Sequence, residues 1–363
     1  MGRLRHILPF AGCVVAAVLV QLVMRATKTE YCLTQLTMSI YYSMVGMALC
    51  LVMGYAGQVS LGHGAFFAMG GFTTAFLTTH DFMPLKDHSV VAALKNIGFL
   101  VSHEDMLGNQ VLTSTPWIAF ITAIVLVFII AHLIGWPALR LKGQYLAMAT
   151  LGFGLIIHKI ILGTALLGAT DGITNVPEWQ LGFGLEVSGK KALRVQNFYI
   201  ACGVLLVFLF LLQNLVRSRV GRALQAIHDR ETAANAMGIN TAVYKLKAFV
   251  ASALLAAIAG IFLTHYTGGI GPSEAGAMKS VRYVALTAVG GMANLWGVAL
   301  VSTVINFCSL RGWFGTLDNA VFGVLLILII SLAPDGPLKP MAKWLAAIGS
   351  KIFRGRKADH GLA

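Results

Sequence analysis

The stretch GYAGQVSLGHGAFFAMGGF, residues 54–72, decides how the chain must be read. Six glycines (Gly54, Gly57, Gly62, Gly64, Gly70, Gly71) and three polar side chains (Gln58, Ser60, His63) interrupt a sequence otherwise suited to lipid. Glycine within a helix costs about 1 kcal/mol relative to alanine, and a buried polar group without a partner costs more. Such backbone survives at membrane depth only where protein or a polar cavity satisfies it.

The surrounding chain sets that depth. Its 363 residues are 57% hydrophobic and 11% charged, with a mean hydropathy of +0.78. Soluble domains carry about 25% charge, and here apolar runs of about 20 residues, enough to cross a hydrocarbon core, recur along the length. A β-barrel would show alternating segments of about ten residues instead, and none is present. The net charge of +13 sits in the connections between apolar runs, a topological bias rather than a nucleic-acid footprint. The five cysteines lie in or beside apolar segments without metal-ligand or disulfide-like spacing, as small packing residues. The N-terminal apolar run lacks a small-residue cleavage site and reads as an uncleaved first span.

Spans are expected at 7–24, 31–53, 116–139, 144–168, 197–216, 247–267 and 318–333, with the glycine-rich 59–79 as an eighth. Residues 281–308 are apolar but broken by GGMANLWG, 290–297, into halves too short to cross alone. Orientation arbitrates. The stretch 217–247 and the tail after 334 each hold six Lys/Arg and belong in the cytoplasm, with Arg3 and Arg5. The stretches 80–115 and 169–196, with net charges of −2 and zero, then fall outside. A single crossing by 281–308 would put the basic tail outside, and a re-entrant pair of half-helices restores it. The expected fold is therefore an all-α polytopic membrane protein with eight transmembrane helices plus a re-entrant pair and both termini cytoplasmic. One transmembrane domain covers 1–333, with a cytoplasmic loop at 217–246 and a basic tail at 334–363. Two glycine-broken segments, one early and one late, point to a transport pathway.

The sequence has no G-x-x-x-x-G-K-[ST] to cradle a nucleotide, no H-E-x-x-H or C-x-x-C metal pair and no G-x-S-x-G. No catalytic residue, metal or cofactor is expected in this chain. Energy must come from an ion gradient or from another polypeptide. None of the eight spans carries a deep Asp or Glu of the kind ion-coupled carriers use, which favours a separate ATPase. Within the spans, His63 suits either pathway contact or a hydrogen-bonded anchor for the broken helix. Gln58 and Ser60 offer neutral hydrogen bonds to a passing solute, although Ser60 also suits a helix cap. Asn294 and Trp296 either line the pathway or hold the turn. His158 and Lys159 fall near the outer interface, where Lys159 snorkels; His132 and His265 are expected at span ends.

In the loop RSRVGRALQAIHDRETAANAMGINTAVYKLK, Ser218 suits a helix cap and Gly238 a helix stop. Ala223, Ile227, Ala234 and Met237 fall near one face, suited to a groove on a partner protein or to the membrane surface. Five stretches in order carry a resemblance: GYAGQVSLGHGAFFAMGGF, LRLKGQYLAMATLGFG (139–154), GATDGITNVP (168–177), GRALQAIHDRETAANAMGINTAVYKLKAFVASALLAAIAGIFL (221–263) and TAVGGMANLWGVALVSTVI (287–305). Together they resemble the permease family of bacterial branched-chain amino-acid ABC importers, the Liv type, closer to its M-type subunit. The resemblance implies a type II ABC-importer-like fold in the bacterial inner membrane. It also implies a heterodimer with a second permease, two ATPase subunits that bind the ATP and a periplasmic solute-binding protein. Glu231, Ala233, Ala234 and Gly238, with Arg222, then match the short helix that docks on the ATPase, although Thr232 stands where alanine is common. The substrate expected is a branched-chain amino acid. Urea, short amides or another small organic solute remain open, as does a stand-alone ion-coupled carrier or channel.

Overall fold

In the computed structural model, the described residues are 4–83, 100–104, 110–141, 143–182, 184–318, 320–324 and 327. The expected tail, 334–363, and most of the predicted last span lie outside them. Helices α1 (Leu4–Ala26), α2 (Cys32–Cys50) and α3 (His63–Thr79) form the first third of the chain. Next come α4 (Pro116–Ala138), α5 (Gln144–Gly163) and α6 (Arg194–Arg217). Two short helices, α7 (Arg219–Asp229) and α8 (Glu231–Ala236), lead to α9 (Thr241–Thr267). A hairpin of α10 (Ala277–Gly290) and α11 (Leu295–Leu310) closes the described bundle.

Among the described residues, five helical segments are long and apolar enough to cross a membrane: Cys32–Tyr55, Pro116–Ala138, Gln144–Gly163, Lys191–Arg217 and Thr241–Thr267. Helix α3 has 17 residues, about 25 Å at 1.5 Å per residue. The glycine-rich stretch is thus half helix and half irregular: α2 ends in a π-helical turn over Leu51–Tyr55, and the chain stays non-helical until His63.

The connections are not all-helical as expected. The predicted outer stretches hold a hairpin of β1 (Leu100–Glu104) with β2 (Gln110–Ser114) and one of β4 (Trp179–Gly182) with β5 (Leu185–Val187). A third pair joins β3 (Ile173–Thr174) to β6 (Gly269–Ile270) and staples two distant loops together. These segments are too short for a periodic signal, so the sequence reading left them as polar loops.

Helices α2, α3 and α9 form the buried centre, and small residues bring them together. Gly70 of α3 sits where a Cβ would come within 2.5 Å of the Ala257 carbonyl of α9, and a Cβ on Gly260 of α9 would overlap the Phe67 carbonyl of α3. Helix α4 packs on this pair through Ala119, Ala123, Val127, Ala131 and Gly135, a stripe repeating every four residues. Its bulky Ile121, Val125, Phe128, Ile129 and Leu133 point outward. Without water to drive burial inside a bilayer, such small-residue faces supply the close packing that holds helices together.

Replacing Gly260 with alanine forces α3 and α9 apart and is expected to destabilise by about 1–3 kcal/mol, as overpacking does. Gly203, with open space around its Cβ position in α6, is expected to tolerate alanine or gain up to about 1 kcal/mol of helix propensity. Thermal unfolding of the detergent-solubilised variants reads the difference.

Candidate functional site

The two glycine-broken regions meet. A π turn widens the helix and leaves backbone groups unpaired, a feature frequent at functional sites. At this turn Gly54 lies flat against the chain between α10 and α11, because a Cβ there would overlap the Met292 carbonyl. The hairpin's turn leaves carbonyls without helical partners, and α2 supplies the donors. The Cys50 thiol reaches the Met292 oxygen at 2.9 Å, and the Tyr55 hydroxyl reaches that of Ala293 at 2.7 Å. Asn294 caps α11, its Oδ1 accepting the Gly297 amide at 3.2 Å. Trp296 faces the other way, edge-on to Phe10 at 5.3 Å, and lines an apolar groove with Cys13, Phe198 and Thr303.

Beyond the π turn the chain turns back at Gly57, whose φ of +67° suits glycine. The next polar residues are buried. Helix α3 starts at His63, three residues after the expected start, and Ser60 does not cap it; Gly62 does so without a side chain. His63 is 1% exposed. Its Nδ1 lies 3.1 Å from Ser60 Oγ and its Nε2 lies 2.7 Å from Ser252 Oγ in α9. Ser252 donates its own proton to the Ala48 carbonyl of α2, so it can only accept from the imidazole. His63 is therefore protonated on Nε2 and accepts from Ser60 on Nδ1. A single side chain ties the broken segment to α2 and α9. Gln58 is 3% exposed, and neither atom of its side-chain amide has a partner among the described residues.

The 217–247 loop is two helices, not one. Ser218 caps α7 by accepting from the Val220 and Gly221 amides, and Gly238, at φ +83°, stops α8. At Arg230 the backbone is extended, φ −152° and ψ 96°, which breaks the face counted across it. Gly221, Leu224, Ile227 and Ala234 are the buried positions, while Met237 is 73% exposed. Glu231 opens α8, and its carboxylate pairs with Lys245 of α9 at 2.7 Å. Arg222 and Ala233 face out. His228 of α7 is exposed and lies beside Gly57, where a Cβ would come within 2.6 Å of its Nδ1. The loop, the early break and the hairpin's turn are thus in continuous contact.

The other histidines divide. His132 is exposed, as is Lys159. His158 meets the Pro272 carbonyl at 3.0 Å. His265, in the last turn of α9, is 1% exposed, bonded to the Pro177 carbonyl and tilted against the Trp179 ring, because the loop carrying Pro177 and Trp179 folds over the end of that helix.

The sequence reading missed one cluster. Residues 268–276 descend into the bundle instead of staying outside. Ile270 reaches Gly71 of α3, and the Glu274 backbone lies near Gly64. Helix α10 therefore starts inside the protein. Its 14 residues span about 21 Å. Glu274 bonds the Tyr42 hydroxyl at 3.0 Å and Lys279 at 2.9 Å, and Arg282 pairs with Asp318 at 2.9 Å. Tyr42 stands ten residues past the start of α2, about 15 Å along it. Glu274 belongs to none of the eight expected spans, and the loop carries this carboxylate inward from between them. Position between two predicted spans hid it, and no periodicity marks an irregular descent. Among the described residues no three His, Cys, Asp or Glu side chains converge as a metal site.

A helical membrane bundle whose broken helices are buried against each other, with charges paired at mid-depth, has the architecture of a permease. The chain belongs to the family described as branched-chain amino acid transport system / permease component, whose model matches residues 31–330. It is similar to the high-affinity branched-chain amino acid transport system permease protein LivM of Salmonella typhimurium, 29% identical over 89% of this chain and 73% of that protein. It is also similar to LivH of Escherichia coli, 22% identical over 83% and 92%, and to a probable LivM of Methanocaldococcus jannaschii, 26% identical over 83% and 91%. No solved structure matches the chain. The family is one of transporter permeases, not of catalysts.

Ser252→Ala removes the acceptor for His63 Nε2–H and leaves a buried donor unpaired, an expected loss of about 1–3 kcal/mol. A lowered unfolding midpoint in detergent checks it, and an unchanged midpoint would show that His63 does not tie the break to α9.

Proposed function

We propose that this chain is the transmembrane permease subunit of an ATP-driven ABC importer that moves branched-chain amino acids across the bacterial inner membrane. Membership of the family and similarity to LivM and LivH support the transporter class and the solute. Eight crossings, made by α1 to α6, α9 and the expected span 318–333, leave both termini cytoplasmic, with α10 and α11 as the re-entrant pair. Similarity to two named permeases of one system supports a heterodimer with a second permease. Two ATPase subunits bind and hydrolyse ATP below, and a periplasmic binding protein delivers solute above.

The observation that carries the mechanism is the contact of His228 with Gly57. In this reading the outward Arg222, Ala233 and Gly238 meet the ATPase, while Glu231 and Ala234 hold α8 to the bundle. A displacement of α7 presses on Gly57, and through Gly54, Cys50 and Tyr55 reaches the hairpin's turn. Gln58, Ser60, His63, Asn294 and Trp296 belong to the moving wall of the pathway, with Ser60, His63 and Asn294 holding its shape and Gln58 carrying unpaired hydrogen-bonding capacity. The cytoplasmic end then follows nucleotide-driven motion without a nucleotide site in this chain.

A stand-alone ion-coupled carrier is the second reading, favoured by the depth of Glu274. Reconstituted uptake separates the two. ATP-dependent uptake of labelled leucine, requiring the ATPases, supports the importer; transport by the purified chain alone without nucleotide overturns it. Labelled urea taken up in place of leucine overturns the solute assignment.

Gly238→Trp, strained at positive φ and bulky on the docking face, is expected to cut uptake by about tenfold or more while the chain still inserts. Gly238→Asn, which tolerates the left-handed conformation, is expected to stay near wild type. Wild-type uptake by a fully expressed Gly238→Trp chain would remove the docking role.

A further inference from the structure

The cluster around the start of α10 has the composition of a binding site for a zwitterion. Glu274, Lys279, Arg282 and Asp318 carry two charges of each sign and sum to zero. Side-chain exposures are 14% for Glu274, 27% for Lys279, 20% for Arg282 and 26% for Asp318. Charges at membrane depth are expensive and mark solute pathways. Hydrophobic pairs of similar size would hold α10 to the turn before it and to the segment at Asp318 as well or better, so stability alone does not account for four charges here.

Three further features point to a ligand rather than to a structural ion pair. Tyr42, Lys279, Arg282, Tyr283, Asn306 and Leu310 enclose a cavity of about 30 Å³, room for about one water. Tyr283 and Asn306, 1% and 3% exposed, line it, and among the described residues the Tyr283 hydroxyl and Asn306 Nδ2 have no hydrogen-bond partner. Arg282 Nε, also at the cavity, and Glu274 Oε2 and Asp318 Oδ1, on the ion-pair partners of Lys279 and Arg282, are likewise without a partner among the described residues. Native proteins rarely leave buried polar atoms unsatisfied, yet five belong to this cluster. Helix α10 also starts inside the protein, so its N-terminal amides and dipole add positive potential at mid-depth, where half-helices of transporters receive anionic groups.

We propose that this cluster is the point at which the permease holds a zwitterionic solute in transit, an inference that rests on the importer reading above. The solute carboxylate takes the side of Lys279, Arg282 and the start of α10. The solute ammonium takes the side of Glu274 and Asp318. With no solute, the four side chains pair with one another and close the cavity. With solute, each internal pair opens and is replaced by a pair to the solute, so the net charge buried stays constant. An uncharged solute such as urea cannot make this exchange, which makes the cluster specific for the amino-acid class.

The complete transporter, reconstituted in liposomes with its partner permease, ATPases and binding protein, tests this with labelled leucine. Tyr283→Phe removes a hydroxyl that no protein group uses, so assembly and ATP hydrolysis should persist while uptake falls about fivefold or more. The double exchange Glu274→Lys with Lys279→Glu keeps an ion pair but reverses its polarity. Uptake should then remain about tenfold or more below wild type in assembled complexes, because the polarity opposes the solute. Recovery to within about twofold of wild type would mean a structural pair only, and would overturn the cluster while leaving the importer intact. Where the exchange does not assemble, Tyr283→Phe alone decides, and undiminished uptake by it overturns the proposal. A wild-type complex that carries urea and not leucine overturns the substrate assignment and the zwitterion site together.

Discussion

A backbone carbonyl released from a helix inside a bilayer has no water to turn to, and each one left unpaired costs several kcal/mol. The arrangement of this bundle follows from that constraint. The turn between α10 and α11 exposes the Met292 and Ala293 oxygens, and the last turns of α2 present a thiol and a phenol to receive them. The π turn widens α2 where this contact occurs, and glycine at position 54 permits the approach. Each irregularity is thus the partner of another. Either break alone would be a defect; together they form a joint with its hydrogen bonds made.

The same logic explains His63. A histidine among glycines in a membrane segment suits a solute contact or an anchor equally well on sequence. The bundle uses it as an anchor: its two nitrogens are engaged by serines from different parts of the chain, one three residues away and one 189 residues away. The second partner is what the sequence could not display, since nothing in the local pattern relates Ser252 to residue 63. Gln58 shows the converse, a polar side chain buried without a partner among the described residues, next to Gly57, where α7 leans on the break.

Much of the fold was legible because lipid imposes a simple code. Long apolar runs at 31–53, 116–139, 144–168 and 247–267 became helices, and Ser218 and Gly238 bound α7 and α8 for the local reasons that cap and stop any helix. What stayed hidden was everything dependent on non-local pairing. A face counted through Arg230 dissolved because one extended residue resets the helical phase. The descent of residues 268–276 has no period to read. It is held by two residues of β6 paired with two of β3 and by glycines that let it lie against α3. Glu274 and Lys279 therefore sat, in sequence, in a connection between expected membrane segments.

Gly54 also fixes what can move. With no side chain between α2 and the hairpin's turn, the two surfaces interlock at one depth, and neither can slide along the other without driving backbone into backbone. Helix α2 and the turn consequently travel as one rigid piece. Compliance is left to the descending segment Gly268–Gly276, which carries four glycines and a single two-residue ladder. The joint at Gly54 and the glycine-rich segment beside Glu274 are thus the stiff and the compliant parts of the same bundle.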